Sequence, residues 1–466
     1  MKSVTRAAWM ASSLLLAACS SSPPIQPAAP PSDERFLRAS DASTFDASWW
    51  RRFADPTLQA LLDEAQRSNL DVQQALARVQ QARAGAQAQG SRLLPTLSLG
   101  GTASDARSDL PEAVKRGQPD TRALRATLDL QWELDLFGAA RAAHRAAQAE
   151  GMAAEAGVDG ARLLLSSELA QQYLQWQSAR IRQQHLAALV AAQADLLQHA
   201  EQRRAQGLGG ALQVQAEQAE LQVLRQQAPL LRLLQQHSEH RIALLLGRLP
   251  SQPVPALLQA PLALPEVPAI APGQPLELLQ RRPDLRAAQA RLEAASARAE
   301  ERRLDRYPKL FLAGLLGRQD LRLNGLDLAP SPFQNIAMAF ALPLFSGGRL
   351  EAQAEAARAQ TSGAELAQQQ AWLTALQEVE SALSALQAGR ERQQALQVQL
   401  QAREQTQRHA ERLHREGLSA RMGLLQAERG LQAARLELSQ AQLDTTLNAV
   451  QLAKALGGGW TLEKHP

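Results

Sequence analysis

The sequence predicts a mainly α-helical chain with a small membrane-type β-sheet, built from one unit that occurs twice. Three observations lead to this expectation. Apolar residues make up 45% of the 466 residues but aromatic residues only 4%, a balance typical of long helices and coiled coils. Short motifs recur along the chain at nearly constant offsets. Two segments have a strict period of two, in which apolar residues alternate with polar residues in one segment and large apolar residues alternate with alanines in the other, as half-exposed strands do.

The repeated motifs divide the chain into two units of similar length. Four pairs of short matches are separated by 208, 210, 211 and 210 residues, and they begin at Leu136 and Leu344, Gly207 and Gly417, Gln215 and Gln426, and Leu246 and Leu456. Such steady offsets indicate a duplicated unit with small insertions. We therefore expect a first repeat over 55–249 and a second over 276–457. The segment 250–275 holds eight prolines and is expected to be an extended linker, and 458–466 is a short tail.

Each unit is expected to contain a helix, two strands, a very long helix, a sharp turn and a return helix. In the first unit Asp55 and Pro56 form a helix start, and no proline occurs from Gly138 to Gln206. Those 69 residues would make a helix about 100 Å long. A return helix follows over Ala211–Leu246, with Pro229 as a possible kink.

The second unit repeats this order. Pro283 opens a helix that ends before Pro308, and the long helix from Gly348 to Glu416 again covers 69 residues. Apolar residues in that helix alternate spacings of four and three, which is typical of a coiled coil: Trp372, Leu376, Val379, Leu383 and Leu386. The long helices are therefore expected to pack as antiparallel coiled coils.

The strands carry the argument for a membrane. From Leu124 to Leu134 one face is apolar, and its members are Leu124, Ala126, Leu128, Leu130, Trp132 and Leu134. Eleven residues match the length of a tilted strand in a transmembrane barrel. Pro95–Ala103 is its expected partner. In the second unit the large residues Ile336, Met338, Phe340 and Leu342 alternate with alanines, and Leu310–Leu316 is the expected partner. A half-buried sheet in a soluble domain is the alternative.

Four strands per chain are too few to close a barrel, and open strand edges cannot face lipid. Two copies would give eight strands, whose interior is filled by side chains. Three copies would give a shared twelve-stranded barrel with a lumen, and would bring the long helices together as an α-barrel. No run of eighteen apolar residues occurs in the sequence, so it predicts no transmembrane helix.

The first residues resemble a bacterial lipoprotein signal peptide. Lys2 and Arg6 precede an apolar stretch that is too short to span a bilayer, and Leu16, Ala17, Ala18 and Cys19 resemble a lipobox. We expect 1–18 to be removed and Cys19 to carry a diacylglycerol and a fatty acyl group. An ordinary signal peptide with a chance cysteine is the alternative. Ser20 stands where an inner-membrane retention signal would need Asp, which favours the outer membrane, and 19–54 reads as a tether.

Charge and motifs argue against other classes of protein. The 50 basic and 46 acidic residues are interleaved, whereas a nucleic-acid-binding protein concentrates its basic residues. No nucleic-acid partner is expected. We find no Ser/His/Asp set, phosphate loop or nucleotide fingerprint, so the chain is not expected to be an enzyme. His237 and His240 are spaced as a helical metal pair, but without an evident third ligand they are better explained as surface residues. No metal or other cofactor is expected.

The chain resembles the TolC-type outer-membrane factors, in the NodT branch of lipoproteins that serve tripartite resistance–nodulation–division pumps. The resemblance rests on several motifs together. They are Trp49-Trp50 with Phe53, Asp55-Pro56 and Leu58; Trp132 to Gly138; Arg281 to Leu285; Leu342 to Leu350; Glu378 to Glu380; and Leu425 to Arg429.

The resemblance implies a homotrimer with a twelve-stranded β-barrel and a twelve-helix tunnel. Such a protein would lie in the outer membrane of a Gram-negative bacterium, anchored in its lipid and projecting into the periplasm. It would be a passive conduit for drugs or other small molecules, docked to a periplasmic adaptor and an inner-membrane pump. The alternative from another class is a structural, adaptor-like coiled-coil lipoprotein, although an adaptor usually has one helical hairpin rather than two.

The family meets its adaptor at the two helical turns. The corresponding residues here are Gly207, Leu208, Gly209, Gly210, Gly417, Leu418 and Ser419. The family also often has an aspartate near the second turn, which forms an acidic ring. This sequence has Gln426 there, and Gln215 in the first unit, while Arg429 is retained. We expect a closed tip held by Arg429 and a carboxylate on a neighbouring helix, with Glu428 as one candidate. Solvated helix charges are the alternative.

Overall fold

The structure is a computed structural model, and it describes residues 49–107, 109, 111, 120–268, 270 and 275–458. The first unit begins with a short 3-10 helix at Trp49–Phe53. Its further elements are α1 (Pro56–Ser68), α2 (Leu70–Ser91), β1 (Thr96–Ala106), β2 (Thr121–Leu134), α3 (Ala139–Ala205), α4 (Ala211–Arg225) and α5 (Gln227–Leu245).

The linker contributes one helical turn, and the second unit follows. The elements are α6 (Pro255–Leu258), a 3-10 turn (Pro275–Glu277), α7 (Leu278–Arg281), α8 (Pro283–Leu304), β3 (Lys309–Leu323), β4 (Leu326–Asp327), β5 (Ser331–Ala341), α9 (Arg349–Arg415) and α10 (Arg421–Ala455). The two long helices α3 and α9 each have 67 residues, which corresponds to about 100 Å.

Two helices of the first unit that the sequence predicted as single elements are divided in the structure, the second of them close to Pro229, where the sequence allowed a kink. The first break is at Asn69, whose side chain caps α2 by accepting from the backbone N–H groups of Asp71 and Val72 at 2.9 and 3.1 Å. The second break is at Gln226, three residues before Pro229. Proline has no N–H to continue the ladder, so the return helix divides into α4 and α5.

The helices form one layer that is open at both edges. Next to the strands, α3 packs between α2 and α8, and α8 packs on α9. Beyond the midpoint of the long helices, α3 packs between α4–α5 and α10, and α10 packs on α9. No helix in the described part of the chain carries the length of apolar sequence that crossing a bilayer requires.

The largest buried apolar cluster lies at the midpoints of α3 and α9, and we call it the waist cluster. Its aromatic members are Trp49, Trp50, Phe53, Tyr173, Trp176 and Trp372. Tyr173 donates its hydroxyl hydrogen to Asp55 Oδ2 at 2.8 Å, while Asp55 Oδ1 caps α1 through Thr57 and Leu58. Burial, and then the hydrogen bond to Asp55, raise the pKa of Tyr173, so the hydroxyl remains protonated as a donor. This contact ties the N-terminal segment to α3.

The two units close by the same joint at the waist. Return helix α5 ends with its Leu245 carbonyl accepting from Asn69 Nδ2 at 2.9 Å. Return helix α10 ends with its Ala455 carbonyl accepting from Arg282 Nη1, also at 2.9 Å. Asn69 and Arg282 each stand directly before the helix that leads to the strands, α2 or α8. The buried Arg282 also pairs with Asp284 and Glu378, both at 2.7 Å, so the second joint is ionic where the first is neutral.

A left-handed glycine follows each return helix and touches the joint. Gly247 has φ +70°, and a Cβ there would lie 2.8 Å from the Ser68 carbonyl oxygen. Gly457 has φ +78°, and its Cβ would lie 3.1 Å from the Arg281 carbonyl oxygen. Both positions therefore need glycine for backbone conformation and for space.

The strands form one antiparallel sheet in which β2 and β3 are central. The β1 strand pairs with β2, β2 pairs with β3, and β3 pairs with β5, while the two-residue β4 extends the β3 turn. The long strands reach beyond the predicted ranges on the side away from the helices. In β3, residues 317–323, among which Arg318, Gln319, Asp320 and Arg322 are polar, continue the ladder with β2. We call this side the loop end and the other the helix end. The outer strands β1 and β5 each pair on one side only within the chain.

We predict that Gly247→Ala destabilises the chain more than Gly207→Ala. Both glycines are left-handed, so each alanine carries the same strain of about 1–2 kcal/mol. Only Gly247 adds a collision, since nothing lies within 4 Å of a Cβ at Gly207. The midpoint of thermal unfolding, followed by circular dichroism in detergent, should fall clearly further for Gly247→Ala. Equal decreases for the two variants would contradict the proposed close contact at the joint.

Candidate functional site: sheet faces, helix turns and the Arg429 ion pair

One face of the sheet is apolar across all four long strands. The pairing places Leu130 between Leu97 and Gly314, and Gly314 beside Ile336. The neighbouring row toward the helix end holds Trp132, Leu312 and Met338, and the next holds Leu134, Leu310 and Phe340. All the strand residues singled out from the sequence lie on this face: Leu124, Leu128, Leu130, Trp132, Ile336, Met338 and Phe340.

These side chains are not buried within the chain. Ile336 is 80% exposed and Phe340 is 77% exposed, and Leu99 and Leu124 are exposed as well. Toward the loop end the same face of β3 becomes charged, with Arg318, Asp320 and Arg322 following Leu316. An apolar band that ends at charged residues is typical of a surface that contacts lipid.

Aromatic side chains gather at the helix end of the sheet. Trp132 donates its indole N–H to the Leu93 carbonyl at 3.1 Å, and Phe137 stacks on Tyr307 with ring centroids 5.0 Å apart. Phe345, four residues after the end of β5, is almost fully exposed. Aromatic girdles of this kind border the apolar band of membrane barrels. Sequence reasoning missed Tyr307, because only the fold brings it to Phe137 across 170 residues, although its position just before a strand was a signal.

The two helical turns have the same geometry. In the first, Gly207 has φ +74°, Leu208 N donates to the Arg203 carbonyl at 2.8 Å, and Gly207 N donates to the Arg204 carbonyl at 3.0 Å. These bonds complete the end of α3 as a Schellman motif. Gly209 lies close to the helix end, and Gly210 directly precedes α4.

The second turn repeats the motif. Gly417 has φ +73°, and Leu418 N donates to the Leu413 carbonyl at 2.8 Å. The Ser419 carbonyl contacts His414 Nδ1 at 3.2 Å. In such motifs the residue after the glycine commonly packs back on the helix. Here Leu208 is 64% exposed and Leu418 is 72% exposed, so each turn presents an apolar side chain to its surroundings.

Just past these turns, an ion pair joins the two units. Arg429 Nη2 on α10 lies 2.6 Å from Glu220 Oε1 on α4. Within one chain the partner of Arg429 is thus Glu220, and not the adjacent Glu428 on its own helix. Gln215 and Gln426 are both exposed on α4 and α10. Sequence reasoning could not identify Glu220, because the pairing spans 209 residues and depends on how the units pack.

Two further sequence expectations concern Cys19 and the pair His237 and His240. Cys19, with the signal peptide and most of the tether, lies outside the described residues. His237 and His240 are exposed on α5. Among the described residues, no group of three or more His, Cys, Asp or Glu is placed to hold a metal ion.

Comparisons with known proteins agree on one family. The family model described as outer membrane efflux protein matches residues 61–248 and 275–458. The pyoverdine export outer membrane protein OpmQ of Pseudomonas putida is 35% identical, over 96% of each chain. Nodulation protein T of Rhizobium leguminosarum bv. viciae is 29% identical, over 97% of this chain and 93% of its own.

The fold agrees with solved channels. The outer-membrane channel OprN superimposes with a TM-score of 0.81 at 29% identity, covering 95% of this chain and all of that one. The predicted fold class is confirmed by this match. The chain therefore belongs to the outer membrane efflux protein family, as an outer-membrane channel component of an efflux pump of the NodT and TolC type.

Proposed function

We propose that this chain forms a lipid-anchored homotrimer that is a passive exit duct for drugs or other small molecules. A periplasmic adaptor and an inner-membrane pump of the resistance–nodulation–division class supply cargo and energy, and the duct itself performs no catalytic step. The observation that carries the proposal is the sheet with one apolar face and two open edges.

The open edges favour three copies. The β1 strand runs from the helix end to the loop end and β5 runs back, so β5 of one chain and β1 of the next would pair antiparallel. Three chains with four long strands each give twelve strands, enough to leave a lumen. The helical layer is open on the same two sides, at α9 and at α2 with α4–α5, which supports the same assembly.

In this assembly the apolar face of the sheet contacts lipid. The residues that would do so include Leu124, Leu128, Leu130, Trp132, Ile336, Met338 and Phe340. Their exposure in the single chain and the aromatic border at the helix end support this orientation. The loops would then lie outside the cell, and the helices would extend into the periplasm.

In this proposal Cys19 is the membrane anchor and the two helical turns dock the adaptor. Acyl groups on Cys19 would hold the N-terminus in the inner leaflet, about 0.8 kcal/mol for each buried methylene. The exposed Leu208 and Leu418 would form six tips per trimer that dock the adaptor. Equal geometry at both turns supports a partner that meets two similar sites on each chain.

The Arg429–Glu220 pair is the proposed latch of the closed tip. It joins α10 to α4, so widening the tube at this level by separating the two hairpins would break it. Both side chains are about 40% exposed, so one pair contributes at most about 1 kcal/mol. Three pairs acting together could hold the tip closed while leaving it easy to open.

We predict that Cys19→Ser abolishes acyl labelling. Cys19 is the only cysteine of the chain, so no other thiol can carry a diacylglycerol. Cells given radiolabelled palmitate should label the wild-type chain and not the variant. Assembly should persist in the variant, since the sheet provides a second membrane contact. Equal labelling of both chains would show that Cys19 is not the attachment site.

The adaptor-docking test uses Leu208→Asp combined with Leu418→Asp. A carboxylate at each turn should prevent an apolar contact, so export should be lost. Export is measured as survival on a panel of toxic compounds by a strain in which only the tested chain supplies this role. Trimers should still appear by light scattering in detergent. Leu258→Asp is the control, because Leu258 is 82% exposed on α6, far from the turns. Normal export by the double variant would refute docking at the turns.

For the latch, Arg429→Ala and Glu220→Gln should each raise the single-channel conductance of the purified protein. The double variant should not exceed the larger single effect, because both changes remove the same ion pair. Gln426→Asp should raise cation preference. Arg415→Ala is the control, since it removes an exposed pair with Glu411 near the same turn. Unchanged conductance in the Arg429 and Glu220 variants would leave these charges as ordinary solvated helix residues.

A further inference from the structure

The face of the sheet opposite the apolar band carries four charged residues, and within the described residues only one of its two cations pairs with carboxylates. On the four long strands this face holds Arg125, Asp129, Glu133 and Lys309 as its charged residues. Lys309 lies 3.5 Å from Glu133 and 3.2 Å from Asp305. Asp129 accepts a hydrogen bond from Thr127 Oγ1 at 2.9 Å. Arg125 is the other cation on this face, and it has no carboxylate partner among the described residues.

The Arg125 side chain is nevertheless held in place. Its Nη2 donates to Gln319 Oε1 at 3.3 Å, and its guanidinium carbon lies 4.7 Å from the centre of the Phe333 ring. Phe333 lies over Gly317, where any Cβ would collide with the ring. A cation over an aromatic face keeps its charge while its edge stays free to donate hydrogen bonds. The guanidinium is thus both positioned and exposed.

Its position along the strand places it near the loop end. Arg125 is four residues from the loop end of β2 and nine from the helix end. Asp129 lies four residues away on the same face, which is about 13 Å along the strand. The Debye length is about 8 Å at physiological ionic strength. A mobile ion beside Arg125 therefore interacts with the charge of Arg125, while the charge of Asp129 is largely screened.

We propose that Arg125 forms a ring of three cations inside the barrel, close to its outer mouth, which attracts and briefly binds anionic solutes as they leave. This rests on the proposed trimeric duct. Twelve tilted strands enclose a backbone radius of about 12 Å, so the three guanidiniums border a lumen that carboxylate- or phosphate-bearing cargo can enter. Rings of arginine or lysine select anions in pores, and binding must stay weak for release. Phe333 and Gln319 are positioning residues for the ring.

The experiment compares purified channels in planar bilayers at 0.15 M KCl, with pyrophosphate as the anionic probe. Arg125→Gln should lower the ratio of anion to cation permeability by about twofold or more and weaken pyrophosphate block about tenfold. Arg125→Lys keeps the charge, so it should retain the permeability ratio while losing part of the block. Arg122→Gln is the matched control, because Arg122 lies on the same strand near the same end, on the opposite face of the sheet. It should behave as wild type.

A second measurement tests which way the side chain points. Arg125→Cys in a Cys19→Ser background has a single thiol, and a water-soluble charged thiosulfonate added to open channels should react with it and change the current. Unaltered permeability and block in Arg125→Gln, or the same change in Arg122→Gln, would overturn the ring. Failure of the wild-type chain to form trimers or channels would instead overturn the proposed duct.

Discussion

The unpaired edges of β1 and β5 are the constraint on which the rest of the structure depends. Lipid offers no partner for backbone N–H and C=O groups, so a sheet with free edges is unstable in a bilayer. This chain supplies an apolar face for lipid but cannot close the sheet by itself. Its helices are open along the same two sides. In the proposed trimer, insertion would therefore be coupled to assembly, because neighbouring chains would supply the partners of β1 and β5.

Both units end their long helical hairpin in the same way. Each return helix finishes against the start of the helix that leads to the strands, with a left-handed glycine in contact with the backbone there. The hydrogen bond is made by an amide in one unit and a guanidinium in the other, Asn69 and Arg282. The joint is conserved between the units in geometry while its chemistry has diverged, since backbone carbonyls accept from either donor.

Local periodicity predicted much of this architecture, and long-range contacts account for what it missed. The period of two in 124–134 and the proline-free stretches gave strands and helices, because both patterns are encoded within a few residues. The break at Asn69 was missed because a capping side chain overrode a continuous apolar stripe. Glu220 beside Arg429 and Phe333 beside Arg125 join residues about 210 apart. No local pattern specifies such pairs until the packing of the two units and the strand register are known.

The waist cluster gives the helices a mechanical property. Large aromatic side chains fix α3 near Tyr173, whereas the helices on either side pack with small residues such as alanine. From Tyr173 to the end of α3 at Ala205 is about 48 Å of stiff helix. A tilt of about 10° with the waist as fulcrum would carry the turn about 8 Å sideways, because displacement grows with the length of the lever arm. In the proposed trimer, small rotations at the waist cluster would thus be amplified into large changes of aperture at the helical turns.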